Sequence, residues 1–310
     1  MKSLRNSFFI LAAIGTMILA FACQSGRKDS TVLIEDVNNT STGDGLQSFS
    51  QIIHLYPSPA EMLSVIDMTD IKFDATILNP ADKADQYLDS KTQTFALGMY
   101  LTDLAYSALF GRHEETLDYL EVVKSLAADI NINEAVDEST IEQVQNNVEF
   151  LDSLYNISNE AFINILSFCE KSERSNTVVM LSAGAFAESL YLAVHMIDDY
   201  STADELLQHL ADQKYTIDNF MRFAKGLGSD EPGVVSTLND LEAIKNIYDG
   251  IDSGSGGVTI KTAISEEENQ PKKLVIGGKG ASSQPHLSEE DFNALKAAVI
   301  ELRNNAVGIN

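Results

Sequence analysis

Two stretches of this chain are apolar on nearly every side. One is Thr94-Phe95-Ala96-Leu97-Gly98-Met99-Tyr100-Leu101-Thr102-Asp103-Leu104-Ala105-Tyr106-Ser107-Ala108-Leu109-Phe110, with Asp103 as its acid; the other runs from Val178 to Ile197, with Glu188 in its middle. A helix that is apolar all round must be enclosed by other helices. Gly111 interrupts the first, and Glu114 to Ile130 then shows Leu117, Leu120, Val123 and Leu126 at helical spacing. The second is followed in the same way by an amphipathic segment, Asp204 to Phe223. Each buried helix followed by an amphipathic one predicts an αα-hairpin. Laying Gly98 on Gly184 pairs Tyr100 with Phe186 and Leu104 with Leu190, an offset of 86 residues. The expected architecture is therefore all-α, a multi-helix bundle built on a pseudo-duplicated pair of αα-hairpins. The offset exceeds the roughly 34 to 47 residues of helical solenoid repeats.

The remaining segments fill out the bundle. Leu46, Phe49, Ile52, Ile53 and Leu55 predict a short amphipathic helix stopped at Tyr56-Pro57. Ser58-Pro59-Ala60-Glu61 combines a capping Ser, a Pro in the first turn and Glu three residues after the Ser, which starts another helix bearing Met62, Leu63, Val65 and Ile66. Leu78-Asn79-Pro80-Ala81-Asp82 predicts a loop and a Pro-led helix running into the first buried stretch. Ser139-Thr140-Ile141-Glu142 caps a helix through Val144, Val148, Leu151 and Leu154, and Ser158-Asn159-Glu160 opens the next, which carries Cys169. Pro232 to Tyr248 is one more helix. Beyond it lie a Gly/Ser-rich run from Gly250 to Gly257 and two short strands, Val258 to Thr262 and Lys273 to Ile276, forming a β-hairpin. Ser288 caps a terminal helix with Phe292, Leu295, Ala298, Val299 and Leu302 on one side. The helical domain spans 46–250, with 251–310 appended to it.

The N-terminus sets the compartment. Lys2 and Arg5 precede an apolar run from Phe8 to Phe21, too short to span a bilayer comfortably and laid out as an export signal. Ala20-Phe21-Ala22-Cys23 ends it in the manner of a bacterial lipobox, so residues 1–22 read as a signal peptide and Cys23 as the lipid attachment site. Residues 23–45, rich in Ser, Thr, Asn, Asp and Gly, form a flexible tether. With Cys23 acylated, Cys169 has no disulfide partner and reads as a small core hydrophobe. Gln24 after the cysteine favours the outer membrane over the inner, and Arg27-Lys28 in place of acidic residues favours the periplasmic side. Net charge is −25, from 46 Asp and Glu against 21 Lys and Arg. That excludes nucleic acid and docking on anionic lipid, since like charges repel. The expected partners are the membrane, through the lipid, and an envelope protein.

Tyr56-Pro57-Ser58-Pro59-Ala60-Glu61, Leu78-Asn79-Pro80, Leu97-Gly98-x-Tyr100-x-x-Asp103-Leu104-x-Tyr106 and Gly184-x-x-x-Glu188-x-Leu190-Tyr191 together resemble a family of all-helical lipoproteins of the Bacteroidetes. The resemblance covers about residues 46 to 200. It implies export, lipidation and a helical fold, and no catalytic residue. The chain departs from that family at Leu101 and Thr102, where Gly is common, and at Phe186-Ala187, where Trp leads.

The candidate chemistry belongs to the acids of the two apolar helices. Asp103 and Glu188 are each followed three residues later by Tyr, Tyr106 and Tyr191, on the same helical face, and His195 lies seven beyond Glu188. If the helices are neighbours, Asp103, Tyr106, Glu188, Tyr191 and His195 line one polar pocket. It could bind a divalent cation or hold one carboxyl neutral as an acid. The plainer alternative places Asp103 on a narrow solvent stripe with Ser107 and pairs Glu188 with Tyr191 as a structural hydrogen bond. Glu205-x-x-x-His209-x-x-Asp212 has ligand-like spacing but an amphipathic, solvated setting, and His113 lacks the second His of a metalloprotease helix. Gly277-Gly278-Lys279-Gly280 lacks the Gly-Lys-Ser/Thr of a phosphate loop. No nucleophile elbow, dinucleotide fingerprint or cofactor motif occurs. The sequence therefore points to a non-catalytic interaction module on a lipid tether, with a metal-dependent or acid/base carboxylate site as the alternative.

Overall fold

In the computed structural model, which describes residues 58–68, 71–136, 142, 151–251 and 285–306, every regular element is a helix. These residues all belong to one compact unit spanning 44–310. The expected segments at 1–57, the helix start at 139–141 and the β-hairpin between 258 and 276 lie outside the described residues.

Helix α1, Pro59–Met62, begins at Ser58, whose hydroxyl accepts from Glu61 N while Glu61 accepts from Ser58 N, the predicted capping box. It is shorter than its apolar pattern implies. Ser64 Oγ donates to the Glu61 carbonyl at 2.7 Å, and the chain tightens into a 3₁₀ turn over Ser64–Met68. After a further 3₁₀ turn at Ala75–Ile77, another 3₁₀ helix, Ala81–Gln86, follows Pro80 but does not run on into the buried stretch. Asp89 caps a new start by accepting from Thr92 N, so helix α2 is Ser90–Leu109. From Thr94 to Leu109 every residue of α2 is buried, as an all-round apolar helix requires.

Gly111, at φ 63°, turns the chain into α3, His113–Asp129, whose Leu120, Val123 and Leu126 face α2 as the hairpin predicts. Helix α4, Leu151–Lys171, runs through Ser158, where a helix start was expected. Ser158 donates back to the Tyr155 carbonyl instead of capping, so nothing interrupts the ladder. Cys169 is buried and free, and burial pushes its thiol up to about 11, as a core hydrophobe's would be. Helix α5, Ser175–His195, is long and apolar enough to cross a membrane by composition, yet it is enclosed by its neighbours. Helices α6, Asp204–Gly226, α7, Pro232–Gly250, and α8, Glu289–Ala306, complete the bundle. The terminal helix α8 does return to the core, on α5 and α7.

At the centre α2 packs along α5. Ser90 and Ser175 border one end of the pair, Asp103 and Glu188 meet beyond its middle, and Tyr106 and His195 share a cleft at the other end. The two helices are therefore parallel, close to the register of the 86-residue offset. Their crossing is made by the two glycines reciprocally. A Cβ on Gly98 would lie 2.0 Å from the Leu181 carbonyl oxygen, and one on Gly184 would lie 2.0 Å from that of Phe95. Thr102 closes the seam by donating to the Ala185 carbonyl at 3.2 Å.

Candidate functional site

The parallel register brings the two acids of the apolar helices together. Asp103 and Glu188 are both fully buried, and the Glu188 carboxyl lies within hydrogen-bonding reach of Asp103. Each is held from its outer side by a residue from elsewhere in the chain. Asp103 Oδ2 accepts from Asn79 Nδ2 at 2.8 Å and from the Asn79 backbone N–H at 3.3 Å. The loop that presents Asn79 is itself tied to the bundle, since Tyr119 donates to the Asn79 carbonyl at 2.8 Å and Tyr100 to the Pro80 carbonyl at 2.9 Å. Glu188 faces Arg303 of α8, whose Nε donates to Oε2 at 3.3 Å and Nη2 to Oε1 at 3.5 Å. Arg303 Nη2 also donates to the Ile77 carbonyl at 3.4 Å, and the guanidinium carbon lies 4.2 Å from the centre of the Tyr191 ring.

Burial acts first on this group, since a charge in apolar surroundings loses its hydration. It drives the Asp103 carboxyl well above the usual carboxylate range, and the charge of Glu188 drives it further. Asn79 and Arg303 only partly oppose that. Glu188 is also raised by burial, against the pull of Arg303. Asp103 Oδ1 accepts from no N–H or O–H donor around it. Two carboxyls at contact with one guanidinium carry one negative charge too many unless a proton stays with them.

Of the five residues expected in one polar pocket, the structure therefore joins Asp103 and Glu188, sets Tyr191 beneath their arginine, and places the other two elsewhere. Tyr106 does not reach Asp103; its hydroxyl accepts from Asp74 N at 3.2 Å and its ring packs on Phe73 and Phe110. A tyrosine three residues on shares the face of the acid, but its ring is long enough to pass the carboxyl and end on loop backbone. His195 Nδ1 donates to the Tyr191 carbonyl at 2.7 Å, and burial lowers the imidazole's affinity for a proton. Both residues line a cleft of about 810 Å³ at the far end of α2 and α5, with Phe73, Asp74, Ile77 and Asp204. The plainer alternative is corrected as well. Asp103 and Ser107 are on no solvent stripe, being 0% exposed, and Glu188 pairs with Arg303 in place of Tyr191.

Among the described residues no group of three or more His, Cys, Asp or Glu stands close enough together to hold a metal ion. The Glu205, His209, Asp212 spacing is structural: His209 Nε2 donates to the Met62 carbonyl and Asp212 accepts from Gln208 at 2.9 Å. Sequence reasoning missed Arg303 and Asn79. One signal was present, because Leu295, Val299 and Arg303 follow one another at four-residue steps, which sets the arginine in the apolar stripe of its helix. Compared with known proteins, the chain matches no family model, no curated protein and no solved structure.

Proposed function

We propose that this chain is a lipid-anchored, non-catalytic binding module of the bacterial cell envelope, tethered at the outer membrane through Cys23 on the periplasmic side. The observation that carries the reading is the closure of the carboxyl pair. Its two acids are fully buried and covered by Asn79 and Arg303, so they present no reacting oxygen to a substrate. What the bundle offers to solvent in this region is the cleft of Tyr106 and His195, with an apolar floor and an acidic rim. The lipoprotein resemblance and the signal at residues 1–22 support the anchor. The reciprocal contact of Gly98 with Leu181 and of Gly184 with Phe95 supports a true duplication of the two hairpins.

Two experiments test this. The full chain should partition into detergent and carry acyl groups on its N-terminal peptide by mass spectrometry, whereas Cys23→Ala should stay aqueous; an aqueous parent with a free Cys23 thiol would overturn the anchor. A photo-crosslinker at Thr202, exposed on the cleft, should trap a discrete envelope protein in cells, while one at Leu88, 87% exposed and outside the cleft, should not. Equal trapping at both positions, or none, would overturn the cleft as the binding face.

The convergence of the carboxyls favours one other reading, an acid/base site, because a carboxyl kept neutral by burial is what a general acid requires. Substrate would reach it only with Arg303 withdrawn. An activity lost in Asp103→Asn at unchanged stability would favour this reading over the binding module.

A further inference from the structure

We propose that Asp103 and Glu188 hold a single proton between them at neutral pH, carried by Asp103, and that this proton fastens the C-terminal helix α8 to the bundle through Glu188 and Arg303. The argument is geometric. Asp103 Oδ2 is saturated by both N–H groups of Asn79, and Oδ1 is left with no donor although no solvent reaches it. Neither carboxylate can donate to the other while both are ionised. One proton on Asp103 lets it donate to Glu188, which removes the orphaned acceptor and the repulsion together. Glu188 then stays ionised and takes the fork of Arg303, leaving the buried group neutral overall.

The assignment is asymmetric for a reason. Arginine keeps its charge throughout the accessible range, so the acid facing it keeps the negative charge and the acid facing the amide of Asn79 keeps the proton. Four other titratable groups bear on the pair: Tyr100 on α2, Tyr119 on α3, Tyr191 on α5 and Tyr87 in the loop before α2. All four are phenols whose ionisation is pushed upward, so they are neutral wherever the pair titrates. Arg303 is the cation acting on both acids. With no third His, Cys, Asp or Glu beside the pair among the described residues, a proton is the cation that fits.

Linkage gives the sign. The folded state keeps a proton that the unfolded chain releases above about pH 4, so the site's contribution to stability is full below that pH and is lost as pH rises. Asp103→Asn replaces the proton-bearing oxygen by a permanent amide donor and removes the proton from the balance. The folding constant of Asp103→Asn relative to the parent should then rise about tenfold per pH unit above pH 4, until the parent's pair itself titrates. Glu188→Gln should do the opposite, leaving Arg303 buried without its anion and exposing α8 to hydrogen exchange at every pH. Infrared spectroscopy reads the proton directly in the parent, where the carbonyl band of a protonated carboxylic acid should persist at neutral pH. A parent without that band at neutral pH would overturn the proposal, as would Asp103→Asn and Glu188→Gln being equally destabilised with no pH dependence in their difference. The infrared measurement does so even if neither variant folds.

Discussion

Replacing Arg303 by Met removes the charge from the buried group while keeping an apolar stem for the α8 packing. Lost with the guanidinium are both bonds to Glu188, the bond to the Ile77 carbonyl and the contact over Tyr191. Glu188 is 0% exposed, so it cannot recover hydration and must take a proton instead. Holding it protonated at pH 7, against an unfolded value near 4.3, costs about 1.4 kcal/mol for each of about 2.7 pH units, roughly 3.7 kcal/mol. Breaking buried ion pairs elsewhere costs about 3–5 kcal/mol, which agrees. Against a domain stability of about 5–15 kcal/mol this is a large fraction. The pH dependence identifies the cause: as pH falls the unfolded chain protonates too, so the deficit should shrink to about 1 kcal/mol near pH 5. Urea unfolding of the full chain in non-ionic detergent at pH 5 and pH 7 measures both values. A deficit of the same size at the two pH values, or none at either, would refute the ion-pair account.

Gly98→Ala should be among the most damaging single-methyl changes in the chain, because the new Cβ meets the Leu181 carbonyl oxygen at 2.0 Å and a backbone cannot step aside as a side chain can. We expect a loss of about 3 kcal/mol, read as a lowered thermal midpoint, and a midpoint within a degree of the parent would refute the close crossing. His209→Gln tests the tie to α1. Burial lowers the imidazole's proton affinity, so His209 supports the fold above about pH 6.5 and loses that support as pH falls below it. The parent should therefore destabilise more than His209→Gln between pH 6.5 and pH 5, and parallel pH profiles would refute the assignment.

The parts of this site differ in how far they could be read from the chain. Asp103 and Glu188 were legible because an acid in an all-round apolar helix has no solvent face to use, but their meeting followed only on the condition that the two helices are neighbours, which the sequence left open. Their partners were not. Arg303 lies 115 residues beyond Glu188 and Asn79 lies 24 before Asp103, and helical periodicity carries no information at such separations. Tyr106 and His195 show the converse error, since spacing placed them on the right faces without saying how far along the helix a long side chain ends. Where the sequence overreached on elements, a side chain decided. Ser158 resembled a cap but bonded backward, and Asp89 started a helix at a point where the apolar pattern alone ran straight through.

What such a costly group does in a core is best seen at the helix seam beside it. A slip of one turn, about 5.4 Å, would keep apolar faces in contact once the two helices part enough to admit a Cβ where Gly98 and Gly184 now meet backbone. It would not leave Glu188 on Asp103, nor Arg303 on Glu188. We hypothesise that the buried trio fixes register more than it adds stability, as buried polar groups do in coiled coils. Changing all three together, Asp103→Leu, Glu188→Leu and Arg303→Met, removes every charge at once and leaves none unpaired. Such replacements elsewhere are neutral or stabilising by about 1–4 kcal/mol. The triple variant should accordingly keep or gain stability while its methyl resonances broaden or double, as the two central helices sample more than one register. A triple variant as stable as the parent, with one sharp set of resonances and the same contacts between Phe95 and Gly184, would show that the glycines alone hold the register.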